Sequence, residues 1–385
     1  MRLGNAHLAP LQEERLGSVL RAWQREFPGL GVLALLPEAE KTRLPLLQSL
    51  CRELDIPLVG GIFPALLTAS GFVTEGVWLL RFDRMVPAVL VPALDDATAD
   101  PVGKIVDAVR PLLDEAAPEL AKPTLYLLFD GLLPQIASLL DGLYLALADR
   151  VDYAGANAGS ETFTPMPCLF DREQAIAGGA CCLLLPEAGG TILEHAYPAG
   201  EQVMSATSTA GNRIDQIDWR PAFDTYREIV GRSYGIELTP DNFYEYAVHF
   251  PLGILRANGE VVVRIPVGLS DDGAVHCVGE VPENAMLVVL KAPSGTVSGC
   301  VDKLAAELEA GNGSLAETTL LTFYCAGRRM HLGQAAGAEL ADLDARLAPA
   351  VLAGALSLGE IGGSRQWAYP SFHNAALVCT PWERA

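Results

Sequence analysis

What the sequence withholds narrows its reading quickly. No apolar run reaches the length of a membrane span; the longest, around Val77–Leu80 and Ala180–Leu185, are strand-sized and bounded by Gly, Pro or charge. Basic residues are scarce, with 27 Lys and Arg against 47 Asp and Glu for a net charge of −20. No local Lys/Arg cluster offsets that balance, so nucleic acid is excluded as a partner. The eight cysteines form no C-x-x-C pair, and most sit in apolar runs such as 179–185, where they read as reduced core thiols rather than zinc ligands. The first thirty residues carry His, Glu and Arg throughout, which is no secretory signal pattern, and a cytoplasmic protein of bacterial type is the default. P-loop, G-x-S-x-G, H-E-x-x-H and kinase signatures are all missing. The nearest approach to a dinucleotide fingerprint, Gly155 to Gly159, has the wrong spacing and precedes a hydroxyl-rich loop.

What is present is a chain of 385 residues, half of them hydrophobic, long enough for two domains. Its organising pattern is a glycine-bearing strand that occurs three times. Leu58-Val-Gly-Gly-Ile-Phe63 follows a strand (Gly31–Leu36) and a helix (Ala39–Glu53). Tyr153-Ala-Gly-Ala-Asn-Ala-Gly159 follows a strand (Thr124–Phe129) and a helix (Pro134–Asp149). Leu352-Ala-Gly-Ala-Leu-Ser-Leu-Gly-Glu360 follows a strand (Leu320–Cys325) and a helix (Ala338–Leu347). In each copy a loop and a further apolar strand come next; the last copy's loop takes in Ser364 to Ala368 and ends at Phe372-His-Asn374. Glycine inside a strand marks a bulge or a close backbone approach. The recurrence reads as internal duplication in a globular protein, since its spacing is too irregular for a solenoid.

The fold class expected is α/β (mixed α+β): two domains, 1–218 and 219–385, with mixed sheets built from repeated strand-helix-strand-strand units. Residues 1–10 read as a loose arm, Glu13–Phe27 as an amphipathic helix, and Val73–Phe82 with Met85–Val91 as a strand pair. Val203–Ala210 and Arg213–Ile217 read as paired strands around Gly211-Asn212.

Of six histidines, His7 and His276 read as solvated or structural; His195, His249, His331 and His373 stay open as hydrogen-bonders or ligands. Arg264 lies on an apolar strand, either half-exposed or paired with a buried acid such as Glu360. A catalytic alternative uses Glu360 and His373 as an acid/base pair, with Arg264 or Arg328 holding an anion. No activated nucleophile supports it.

Several short motifs, taken in order, resemble the FIST proteins over nearly the whole chain. They are Leu58-Val-Gly-Gly61, Tyr153 to Gly159, Ala210-Gly-Asn-Arg-Ile-Asp-Gln-Ile-Asp218, Phe250-Pro-Leu-Gly253, Val263-Arg-Ile-Pro266, Gly279-Glu-Val-Pro282, Cys325-Ala-Gly-Arg328, Gly359-Glu360 and Phe372-His-Asn374. The resemblance makes 1–218 the N-terminal and 219–385 the C-terminal FIST region. It implies a sensory module of prokaryotic signalling that binds a small ligand and acts on a separate partner such as a histidine kinase; the short apolar runs and the acidic charge leave no part for a membrane or nucleic acid. On it, the residues expected at a ligand site are Gly60, Gly61, Gly155, Asn157, Gly159, Arg264, Arg328, Gly359, Glu360, His373 and Asn374. Some stand-alone members of this size are nitric-oxide-sensing haem proteins, so haem is a possible cofactor, with His331 and His249, then His195, as axial candidates. Two departures bear on the ligand: Ile62-Phe63-Pro64 replaces small and hydroxyl residues, and His195-Ala196 replaces a His-Gly pair.

Overall fold

A computed structural model describes residues 3–96, 100–117, 119–120, 122–186, 190–291, 299–316, 318–363 and 369–382. The stretch Ser364–Ala368 lies outside them. The mixed α/β class expected from the sequence is what the structure has, in four sheets with helices packed on their faces.

The three copies fold into three equivalent units. In each, the first strand pairs in parallel with the glycine strand: Gly31–Pro37 with Leu58–Phe63, Thr124–Asp130 with Asp152–Ala158, and Thr319–Cys325 with Val351–Ser357. A parallel pair needs a crossover, and the helices Leu44–Glu53, Ile136–Leu147 and Ala335–Leu347 supply it. The closing apolar strand of each unit, Val77–Phe82, Ala180–Leu185 or Leu377–Pro381, lies antiparallel to the first strand on its other side.

Glycine fixes the register at one equivalent point per unit. Gly60 lies opposite Ala34, Gly155 opposite Leu127 and Gly354 opposite Thr322. A Cβ at any of the three would overlap the carbonyl oxygen of that opposite residue. Close backbone approach is therefore the reason for the glycine.

Between its glycine strand and its closing strand, each unit sends a hairpin to a neighbour. Leu66–Thr68 of the first unit adds to the third unit's glycine strand, with Leu67 opposite Gly354. Leu169–Asp171 of the second adds to the first, with Phe170 opposite Gly60. Glu360–Gly363 of the third adds to the second, with Ile361 opposite Gly155. The exchange is cyclic, and the inner faces of all three units meet in one core that includes Leu33, Phe63, Tyr126, Ala156, Leu169, Phe323 and Ala355. Burying those apolar faces against one another is the main stabilising term.

The fourth sheet joins Val203–Ala210 and Arg213–Ile217 to Leu252–Leu255, Val261–Arg264, Pro266–Leu269, Val275–Cys277 and Met286–Val289, under Ala222–Tyr234 and Phe243–Ala247. The hairpin expected at Gly211-Asn212 is there.

Three local expectations are corrected. Residues 3–9 are no loose arm: Leu3–Ala9 is a strand on Val77–Phe82, and its alternating burial, split by a bulge between Leu3 and Ala6, hid it in the sequence. Val77–Phe82 and Ala88–Val91 do not pair with each other, because each finds a partner in a different unit's sheet. The helix expected from Ala39 begins as a 3-10 turn, Glu38–Arg43, and becomes α-helical at Leu44, where Pro45 suits the first turn.

Candidate functional site

At the C-terminal end of the third unit's first strand the chain enters a short helix, Ala326–Leu332. Ends of parallel strands are where open α/β sheets form clefts. Here Cys325, Ala326, Gly327 and Met330 form one wall of a pocket. Leu358 and Asn374 from the third unit's turns, Glu161 and Phe163 from the second unit's loop, and Ile265, Pro266, Val267 and Val278 with Tyr244 and Val248 from the fourth sheet and its helix complete it. The cleft spans about 550 Å³ when the solvent-open space at its mouth is counted in. Tyr244, Met330 and Phe163 are 59%, 48% and 40% exposed, so the mouth is rimmed by apolar side chains.

Behind Cys325 sits Glu360, with no exposed surface. Ser357 Oγ donates to its Oε1 at 2.5 Å and the Ala376 N–H to its Oε2 at 3.3 Å. Burial pushes the Glu360 carboxyl up to about 8, against the opposing pull of Ser357, Ala376 and the Cys325 thiol. Burial thus favours the protonated form of this acid. Burial also holds the Cys325 thiol well above the ordinary range. Asn374 spends both ends of its amide on the backbone: Ile265 N–H donates to Oδ1 at 3.3 Å, and Nδ2 donates to His373 O at 3.2 Å.

The other expected site residues divide into groups. Asn157, fully buried, exchanges backbone bonds with the turn at Leu358-Gly359, while neither atom of its side-chain amide has a hydrogen-bond partner among the described residues. Gly359 packs against the Phe372 ring and the Asn157 amide. Gly60, Gly61, Gly155 and Gly159 belong to the glycine strands and the turn that follows, and none lines the pocket.

Arg264 is buried but makes no pair with Glu360. Its guanidinium donates to the carbonyls of Glu280 (2.8 Å), Val263 (3.0 Å) and Phe372 (2.7 Å) and lies over the Phe372 ring, tying the fourth sheet to the third unit's hairpin. Burial lowers it to about 10. Arg328 forms a two-pronged pair with Glu339 (2.7 and 2.6 Å), which also accepts from Tyr324 at 2.6 Å, and donates to the carbonyls of His195 and Ala375. That guanidinium clamps the fold.

Glu360 and His373 are register partners on adjacent strands. The carboxyl faces Ser357, whereas His373 Nε2 meets Glu260 at 3.3 Å and burial lowers its affinity for a proton. Among the haem-ligand candidates, His195 has both ring nitrogens engaged, with the Val261 carbonyl and the Tyr197 N–H, and burial takes it down to about 3. His249 and His331 turn their Nδ1 atoms to each other at 2.5 Å. No histidine is among the described residues that line the pocket, so these side chains do not fit an axial ligand reaching into it. No group of three or more His, Cys, Asp or Glu among the described residues could hold a metal ion.

The sequence reading passed over most of the pocket. Phe163, Tyr244, Met330 and the run Ile265–Val267 look like ordinary core or loop residues until segments distant in sequence meet. One signal was available: Ser357-x-x-Glu360 in the third copy stands where the first has Phe63-x-x-Leu66.

With these features goes a definite class of protein, a mixed α/β chain of exchanged repeats beside an apolar pocket with a solvent-open mouth. The FIST N domain matches residues 31–220 and the FIST C domain residues 222–363, and the chain belongs to the FIST family of sensory, small-ligand-binding signalling domains. No curated protein shows significant similarity to it. No helix among the described residues is long and apolar enough to cross a membrane.

Proposed function

We propose that this chain is a cytoplasmic ligand sensor whose site is the pocket at Cys325, Leu358 and Asn374, and that it signals in trans to a partner such as a histidine kinase. The observation behind the site is the Ser357–Glu360 pair, a buried polar device directly behind an apolar pocket. Such a combination is the usual form of a small-molecule site. Buried polar groups cost stability unless well paired, so their placement here is informative. Co-purification with the histidine kinases of its own cell tests the signalling part. A chain that binds none of them, with or without a pocket probe, would count against it.

The division at 218/219 is proposed as a boundary between sequence halves. Strands from both sides of it share three of the four sheets. Residues 1–218 expressed alone are therefore expected to aggregate, and a soluble fragment with a cooperative melt would show independent folding.

The haem reading draws on the family resemblance alone. A visible spectrum after haem titration decides it: no Soret band removes it, and a band lost in only one of His331→Ala, His249→Ala and His195→Ala names the ligand. The acid/base reading of Glu360 and His373 would be dropped if Glu360→Gln and His373→Ala both leave any turnover unchanged.

A further inference from the structure

The pocket's lining limits the chemistry of what it can hold, and the inference rests on the reading of that pocket as the binding site. Among the described residues that line it there is no Lys, Arg or His, and its one carboxylate, Glu161, is already paired with Arg329. An anion entering it would lose hydration with no uncommitted counter-ion among the described lining residues. A cation would find only the neutralised Glu161. Asn374 makes one bond at each end of its amide, so it and the Cys325 thiol, backed by the Glu360 carboxyl, are the polar features of the inner wall. The rest of the inner wall is Ile265, Pro266, Val267, Val278, Ala326 and Leu358, and the rim is apolar as well.

We propose that the pocket takes an uncharged, largely apolar small molecule, which sets a single polar group against the Cys325–Glu360 end and buries its hydrophobic body toward the Tyr244–Met330 mouth. A charged head group is selected against by the wall itself. No covalent step is involved.

The test uses the full chain and N-phenyl-1-naphthylamine, a neutral apolar fluorophore. At pH 7 the bound probe is displaced by three eight-carbon competitors that differ only at the head: 1-octanol below its aqueous solubility limit, and octanoate and octylammonium below their micellar concentrations. 1-Octanol is expected to displace half the probe at a concentration lower than either ion by about tenfold or more, the equivalent of about 1.4 kcal/mol. Octanoate or octylammonium competing as well as 1-octanol would overturn the neutral class.

Val267→Trp keeps that failure separate from failure of the pocket reading. Val267 is half-buried in the wall, and an indole there should weaken probe affinity by about tenfold while circular dichroism stays unchanged. Undiminished probe binding in the folded variant would mean that the pocket is not the site. Met330→Trp at the exposed rim covers the case in which Val267→Trp fails to fold. Its added emission should be quenched by the bound probe, and emission that does not respond would likewise remove the pocket.

Discussion

The three hairpins that the units exchange occupy one topological position, and their residues differ in a telling way. Leu66 lies opposite Ala355, Leu169 opposite Gly61 and Glu360 opposite Ala156, each one residue beyond the close-approach glycine of the neighbouring strand. The backbone bonds agree: Leu356 N–H donates to Ala65 O, Ile62 to Cys168 and Asn157 to Gly359. All three hairpin residues are fully buried. Two are leucines and the third is an acid. Ser357 stands where the first unit has Phe63 and the second Ala158, and Asn157 stands where the other glycine strands have Ile62 and Leu356. The fold thus asks only for an apolar residue at these places. Polarity at the junction of the second and third units is an addition to it, and the pocket opens beside that junction.

Not every buried charge nearby is of this kind, and the sharpest contrast is the largest expected effect. Arg328 and Glu339 are nearly inaccessible and pair through two bonds. Removing one partner strands the other, so Glu339→Leu should cost about 3–5 kcal/mol. Urea denaturation measures this; a loss below about 1 kcal/mol would put the pair in Glu360's class.

The next effect concerns pH. Glu360 is held at about 8 when folded against an ordinary carboxylate value of 4.5. Above 4.5 the unfolded chain gives up this proton while the folded chain retains it, so folding becomes less favourable as pH rises from about 4.5 toward 8. That decline, on the order of a few kcal/mol, should be absent from Glu360→Leu. Burial lowers His195, His249 and His373, and both proteins should lose stability alike as pH falls through 6.5. The diagnostic quantity is the difference between the two denaturation profiles, and a flat difference from pH 5 to 8 would refute the buried neutral acid.

Glycine to alanine at 60, 155 and 354 tests the equivalence itself. Each Cβ meets a backbone carbonyl, so each change should cost roughly 1–3 kcal/mol through forced backbone shifts. One position tolerating alanine freely would break the threefold comparison.

The effect of Glu360→Leu near pH 5 should stay within about 1–3 kcal/mol, because a neutral acid gives way to an apolar side chain and only the Ser357 hydroxyl and the Ala376 N–H lose their partner. A large destabilisation there would make Glu360 a fold residue after all.

The units themselves were legible because local order carries them: a strand, a helix and a glycine strand follow one another, and a parallel pair requires that crossover. Which sheet each hairpin would join was not legible. The pairing of Leu66 with Ala355, or Ile361 with Gly155, is decided by packing across distant parts of the chain. The pocket escaped for a similar reason. Ile265, Val278 and Leu358 carry no chemical signature, and their apolar character is equally that of a core. Glu360 and Asn374 were visible as chemistry, but Cys325 and Ser357 became partners only when the third unit's two parallel strands were laid side by side.

The most direct test is hydrogen–deuterium exchange on the intact chain with and without saturating N-phenyl-1-naphthylamine. The expected result is slowed exchange in segments 325–330, 357–361 and 372–376, with 63–67 and 168–171 unchanged. Equal protection at all three junctions, or protection confined to 63–67 and 168–171, would contradict the claim that one junction alone has become the ligand site.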